Sequence, residues 1–284
     1  MKIIECPRDA MQGIDEFIPT ETKIDYINQL LKVGFDTIDF GSFVSPKAIP
    51  QMKDTGEVLE RLDLSSSNSK LLAIVANPRG ADDACQFDEI QYLGYPLSLS
   101  ETFQQRNTNR SIDSAFDDLA EIQERAQESD KTLVVYLSMG FGNPYGDPYE
   151  MDYVSEFVSK LDEMEVEVIS LADTIGVSKP AIIDQLFTSL IPRFPHIEFG
   201  AHLHSTPNTI TEKIDAAYRA GCRRVDGAIK GFGGCPMAKD DLTGNMATEK
   251  MLAYFESEGV SVKLDMNEFD RSVEMAASVF GSLH

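Results

Sequence analysis

The strongest constraint in this chain is an alternation. Short apolar or β-branched runs of strand length are each followed by an amphipathic helical stretch, about eight times in succession, with no proline-rich linker or low-complexity tract between them. Strands are expected over Lys2–Cys6, Phe35–Phe40, Leu71–Ala76, Glu89–Leu93, Thr132–Ser138, Val166–Leu171, Ile197–His202 and Arg224–Ile229. The intervening helices are read from their spacing, as with Ile24, Ile27, Leu30 and Leu31 before the stop at Gly34. Others span Thr55 to Leu62, run from Pro78 through Ala84, or begin at Ser111, a good N-cap ahead of Ile112, Phe116, Leu119 and Ile122. Ser178 and Pro180 stand in cap and first-turn positions of a further helix. Two helices, Thr248–Ser257 and Asn267–Gly281, close the chain. A (β/α)8 barrel accounts for this count at close to its usual length of ~250 residues, with 1–284 as one catalytic domain and 267–284 as a C-terminal helical extension. A doubly wound open sheet is the alternative, weakened by the lack of a Gly-x-Gly-x-x-Gly turn after the first strand.

Composition narrows the function. A net charge of −22 argues against a nucleic-acid or anionic-membrane surface, which would need clustered Lys and Arg. No run approaches the ~20 apolar residues of a membrane span, and the start MKIIECPRD has no secretory or transit character, so a cytoplasmic enzyme is expected. Cys6, Cys85, Cys222 and Cys235 are scattered without a C-x-x-C pair, which predicts reduced thiols. The first three read as packing residues, whereas Cys235 follows the flexible Gly231-Phe232-Gly233-Gly234.

In a barrel, chemistry gathers where strands end. Arg8-Asp9 follows the first strand, Gly41-Ser42 the second, Asp173 the sixth, His202 and His204 the seventh, and Cys235 the eighth. Residues two apart on a strand share a face at ~6.5 Å, so His202 and His204 can meet one metal ion. Asp9 adds a carboxylate and Asn245 an amide oxygen, a mixed set with room for water or substrate that suits Mg²⁺ or Mn²⁺. Zinc and iron share the same ligand arithmetic.

Several motifs, in order and nearly end to end, resemble those of 3-hydroxy-3-methylglutaryl-CoA lyases, members of the metal-dependent aldolase-like barrels. They are Pro7-Arg8-Asp9 with Gln12, Ser42-Phe43-Val44-Ser45-Pro46-Lys47, Asp173-Thr174-Ile175-Gly176, Gly233-Gly234-Cys235-Pro236 and Gly244-Asn245. The resemblance implies a divalent metal held by Asp9, His202, His204 and Asn245, and cleavage of an acyl-CoA substrate to acetoacetate and acetyl-CoA. It also implies that Arg8 stabilises the enolate, that Cys235 protonates the carbanion, and that Asp173 orients a ligand or assists proton transfer. His202 counts among the catalytic groups as well as the ligands. Gln12 and Ser42 would contact substrate, and Lys47 a CoA phosphate.

The chain departs from the family pattern at Ala10, at Asp39 in place of a glutamate, at Ser205 in place of an aspartate, and at Asn143 in place of a second loop cysteine. Ile4 holds the first-strand glutamate position, with Glu5 beside it on the expected opposite face. The alternatives are a condensing enzyme of the isopropylmalate or homocitrate synthase type and a non-catalytic binding barrel. The apolar faces of the two final helices suit a homodimer contact.

Overall fold

The computed structural model describes residues 1–234 and 243–280. Its eight parallel strands are β1 (Lys2–Glu5), β2 (Thr37–Ser42), β3 (Lys70–Ile74), β4 (Ile90–Ser98), β5 (Thr132–Ser138), β6 (Val168–Asp173), β7 (Glu198–Ser205) and β8 (Arg224–Gly227). Each pairs with the next, and β8 returns to β1, with Lys2 opposite Arg224 and Ile4 opposite Asp226. That last pairing closes the (β/α)8 barrel and removes the open-sheet alternative.

The helices are α1 (Pro7–Gln12), α2 (Thr20–Val33), α3 (Thr55–Glu60), α4 (Pro78–Cys85), α5 (Glu101–Thr108), α6 (Ile112–Glu128), α7 (Met151–Glu163), α8 (Pro180–Arg193), α9 (Ile210–Arg219), α10 (Thr248–Ser257) and α11 (Met266–Phe280). Ser111 caps α6 as expected, its hydroxyl accepting from the Ser114 amide. Ser178 does not cap α8. Lys179 takes that position, and the Ser178 hydroxyl turns to Asp173.

Three elements go beyond the sequence reading. The Arg8-Asp9 pair, read as loop, lies in α1, which starts one residue after β1 with Pro7 in its first turn. Helix α5 intervenes between β4 and α6, and a two-residue strand, β9 (Gly244–Asn245), pairs antiparallel with the end of β7. Strand β4 also continues to Ser98 through Gly94 and Pro96. A Cβ at Gly94 would lie 2.6 Å from Ile74 Cδ1, so the glycine permits close packing here and does not end the strand.

Apolar residues divide between two spaces. The larger core lies between the strands and the helical shell, and a smaller group inside the barrel contains Leu72, Ile74, Tyr92, Val134, Tyr136 and Val168. Helix α11 packs on α2 in the same chain, with Tyr26 edge-on to Phe280 at 5.7 Å and Phe269 against Phe35 at 6.3 Å. Much of its apolar face is therefore buried inside the molecule, while Met266 at its start stays exposed. Among the described residues, no helix is long and apolar enough to cross a membrane.

Candidate metal centre at the barrel mouth

Strand β7 delivers both histidines to the inner face at the C-terminal mouth, their rings 5.5 Å apart. The first turn of α1 brings Asp9 to the same point, and potential ligand atoms of Asp9, His202 and His204 all lie within 4.8 Å of one another. Strand β9 sets Asn245 beside His204. The Asn245 amide donates to Asp9 Oδ2 (2.7 Å) and to the Phe232 carbonyl (2.9 Å), which leaves its oxygen out of those bonds. Gly233 makes this approach feasible. It has φ +84°, and a Cβ there would stand 2.7 Å from the Asp9 carbonyl oxygen and 2.8 Å from Asn245 Nδ2.

Electrostatics set the protonation of the donors. Arg8 is clamped between two carboxylates, with Nη1 to Asp9 Oδ1 at 2.8 Å and Nε to Asp39 Oδ2 at 3.0 Å. Asp39, one methylene shorter than the family's glutamate, thus still reaches the site by gripping the arginine. Burial pushes the Asp39 carboxyl up to about 6, with Arg8 acting in the opposite sense. For Asp9, burial also favours the neutral acid, but Arg8, the two histidines and the Asn245 bond outweigh it and bring the carboxyl down to about 2. It is an anion at neutral pH.

His204 is pushed down to about 4, by burial first and then by the charge of His202. Both of its ring nitrogens are buried, and neither makes a hydrogen bond of normal geometry with the described residues. A neutral imidazole whose single ring lone pair accepts no hydrogen bond from the described residues is the form a metal ion takes, so this donor set fits a divalent cation. His202 differs. Burial opposes its imidazolium, yet the hydrogen bond and charge of Asp226, together with Asp9, raise its pKa overall. Its Nδ1 lies 3.1 Å from Asp226 Oδ2, and the Tyr136 ring stands edge-on to it at 5.6 Å.

These groups line one end of a cavity of about 220 Å³. Arg8, Asp9, Gln12, His202 and His204 contribute its polar wall, and Ile49, Ile74, Pro96 and Phe103 its apolar one. Gln12 donates to Asp9 Oδ1 (2.8 Å) and so belongs to the same cluster. The other candidates sit elsewhere. Ser42 is buried, accepts from the Val44 amide, and faces a separate cavity shared with Lys53 and Arg79. Lys47 is exposed and lines neither cavity.

Asp173 is buried at the end of β6, but its carboxylate accepts from the Val177 and Ser178 amides, the Ser178 hydroxyl and Lys213 Nζ, and it does not line the main cavity. Cys235 lies outside the described residues. Asn143 pins its own loop, its oxygen accepting from the Tyr145 and Asp147 amides. Glu5 faces away from the cavity as register predicts, accepting from the Ile229 amide and the Thr248 hydroxyl.

Sequence reasoning missed Asp226, Tyr136 and Lys213. Asp226 left a usable trace, since an acid in the middle of the short apolar run Val225–Ile229 must find a buried partner. Cys6, read as packing, is buried with its thiol close to both His202 and Asp226, and burial holds that thiol well above its ordinary range.

A closed barrel whose mouth gathers two imidazoles, a carboxylate and a clamped arginine defines a (β/α)8 enzyme with a metal-type site. Residues 2–275 match the HMGL-like family model, and the chain belongs to that family. A hydroxymethylglutaryl-CoA lyase of Bacillus subtilis is 34% identical over 261 residues, spanning 91% of this chain and 86% of the relative. A crystal structure of a Bacillus subtilis HMG-CoA lyase superposes with a TM-score of 0.92 at 31% identity, covering 99% of this chain and 93% of that one. An HMG-CoA lyase from Acinetobacter baumannii, solved with coenzyme A and 3-methylmalate, gives a TM-score of 0.90 at 29% identity, covering 99% and 91%.

Proposed function

We propose that this chain cleaves 3-hydroxy-3-methylglutaryl-CoA, or a close 3-hydroxyacyl-CoA, to acetoacetate and acetyl-CoA. The convergence of Asp9, His202 and His204 within 4.8 Å beside an apolar-walled cavity carries this reading, and the lyase relatives supply the substrate class. The proposed ligands are Asp9, His202, His204 and the Asn245 oxygen, a set of two nitrogens and two oxygens that suits Mg²⁺ or Mn²⁺. Such an ion, when bound, would lower the pKa of a substrate hydroxyl and offset negative charge on its oxygens.

The chain's own residues account for the rest. Nδ1 of His202 is committed to Asp226, so Nε2 is the nitrogen it can offer the cavity. Arg8, held by Asp9 and Asp39, presents a fixed positive charge where the thioester enolate develops as the carbon–carbon bond breaks. As the hydroxyl proton passes to solvent in the cavity, the oxygen's electron pair forms the ketone of acetoacetate, and the electrons of the broken carbon–carbon bond pass to the thioester carbon and oxygen. A proton, assigned to Cys235 on the family resemblance, then converts the enolate to acetyl-CoA. Asp173 orders the loop after β6 through Val177, Ser178 and Lys213. Gln12 positions Asp9, while the roles of Ser42 and Lys47 would lie at the CoA end. A cytoplasmic location and action as a single barrel domain complete the reading.

The test is direct. Purified protein with 3-hydroxy-3-methylglutaryl-CoA and Mg²⁺ or Mn²⁺ should release acetoacetate, and EDTA should abolish the release. Turnover that survives EDTA would defeat the metal's part. Consumption of acetyl-CoA with a 2-oxo acid would make the chain a condensing enzyme instead.

A further inference from the structure

Beneath the site, the barrel interior holds a second polar layer. Asp226 is 2% exposed and lies on the same face of β8 as Arg224, two residues earlier. Arg224 is fully buried; its Nη1 stands 3.9 Å from Glu198 Oε2, beyond hydrogen-bond reach, and none of its three guanidinium nitrogens has a hydrogen-bond partner among the described residues. Its stem packs over Gly200, where a Cβ would stand 3.2 Å from Arg224 Cδ, and Gly200 lies two residues before His202 on the same face of β7. The arginine therefore occupies the layer directly below the histidine. Of the Asp226 oxygens, Oδ2 meets His202 Nδ1, whereas Oδ1 is buried without a hydrogen-bond partner among the described residues. Cys6, the other group close to this pair, directs its thiol at the Ile4 carbonyl.

We propose that Asp226 is a positioning residue. By accepting from Nδ1–H it fixes the tautomer and ring angle of His202, so that the Nε2 lone pair faces the cavity, and Arg224 below supplies the positive charge that keeps this carboxylate in place. A carboxylate behind a ligating imidazole restrains the ring and strengthens it as a donor. The inference rests on the metal reading above for its consequence, but the tautomer it assigns is a property of the protein alone.

The experiment uses the full chain and its four histidines, few enough for side-chain ¹⁵N NMR to resolve each ring. In the metal-free wild type at pH 8.5, His202 should carry its proton on Nδ1. In Asp226→Asn, the amide oxygen is expected to turn toward Arg224 and the amide nitrogen toward Nδ1, moving the ring proton to Nε2. Mn²⁺ affinity, measured by titration, should then fall roughly 10- to 100-fold. An unchanged tautomer with unchanged Mn²⁺ affinity in the variant would overturn the proposal. Should the variant not fold, the wild type alone decides, because a proton on Nε2 there contradicts the assignment. A wild type with the expected tautomer but no Mn²⁺ binding would instead sink the metal reading and leave the role of Asp226 intact.

Discussion

Asp9 and Asp173 are both aspartates buried at the mouth of the barrel, one just after β1 and the other at the end of β6, yet their surroundings are opposite. Around Asp173 every donor is provided for: two amides, a hydroxyl and Lys213 consume its oxygens, and the group is turned from the cavity. Asp9 lies in the cavity wall beside His204, whose buried ring nitrogens have no hydrogen-bond partner among the described residues, and beside Asn245, which meets Asp9 through its amide nitrogen and not its oxygen. The contrast separates two kinds of buried strand-end carboxylate: one whose bonding capacity is spent on its own loop and on Lys213, and one that faces a cavity beside an imidazole with capacity to spare.

The sharpest way to break this comparison is to remove each charge without changing shape. Asp9→Asn should lower acetoacetate release roughly a thousandfold, on the scale of losing one group that stabilises transition-state charge, and leave the melting temperature within a few degrees of the wild type. Asp173→Asn should do the reverse. It takes the counter-charge from Lys213, almost fully buried, and leaves it the neutral Gly176 and His204 carbonyls as acceptors; the cost should be about 3 kcal/mol of stability, the low end for a broken buried ion pair, in a denaturant titration, while turnover per folded molecule falls less than tenfold. If folded Asp173→Asn lost activity as severely as Asp9→Asn, Asp173 would belong to the proton-transfer step after all.

The same two aspartates mark how far the sequence could be read. Both were visible as acids where a strand ends, and the barrel followed from periodicity, with β5 and α10 found at their expected bounds. Which way each acid points was not legible, because it depends on partners distant along the chain: Lys213 for Asp173, and Asn245 for Asp9. Short elements also escaped. Helix α1 has too few residues to show a period, and β4 was cut short because Gly94 and Pro96 carry breaker signals that close packing overrides. Asn245 is legible as an amide-oxygen donor on a loop, and the family resemblance gives it as a ligand, but the β7–β9 pairing that delivers it has no trace in a two-residue strand.

Glu5 sharpens the comparison with a smaller effect, being a third buried acid that lies outside the barrel interior. Burial, opposed by its bonds to Thr248 and Ile229, raises its pKa to about 8. Between about 4.5, its ordinary value, and about 8 the folded protein retains a proton that the unfolded chain has released, so stability falls as pH rises through that window. Glu5→Gln removes the titration and should flatten the dependence of melting temperature on pH from 5 to 8. The gain at the alkaline end should be on the order of a few kcal/mol. A variant that kept the full wild-type slope would show that Glu5 is ionised in the fold.

The central claim is that two imidazoles and a carboxylate from separate parts of the chain hold one divalent ion at the barrel mouth. Pulsed EPR on the wild type loaded with Mn²⁺ reads those ligands directly. The account predicts one tightly bound ion per chain, with hyperfine coupling to two imidazole nitrogens that is reduced to one in His204→Ala. A bound ion with no nitrogen coupling, or coupling unchanged by that substitution, would contradict it.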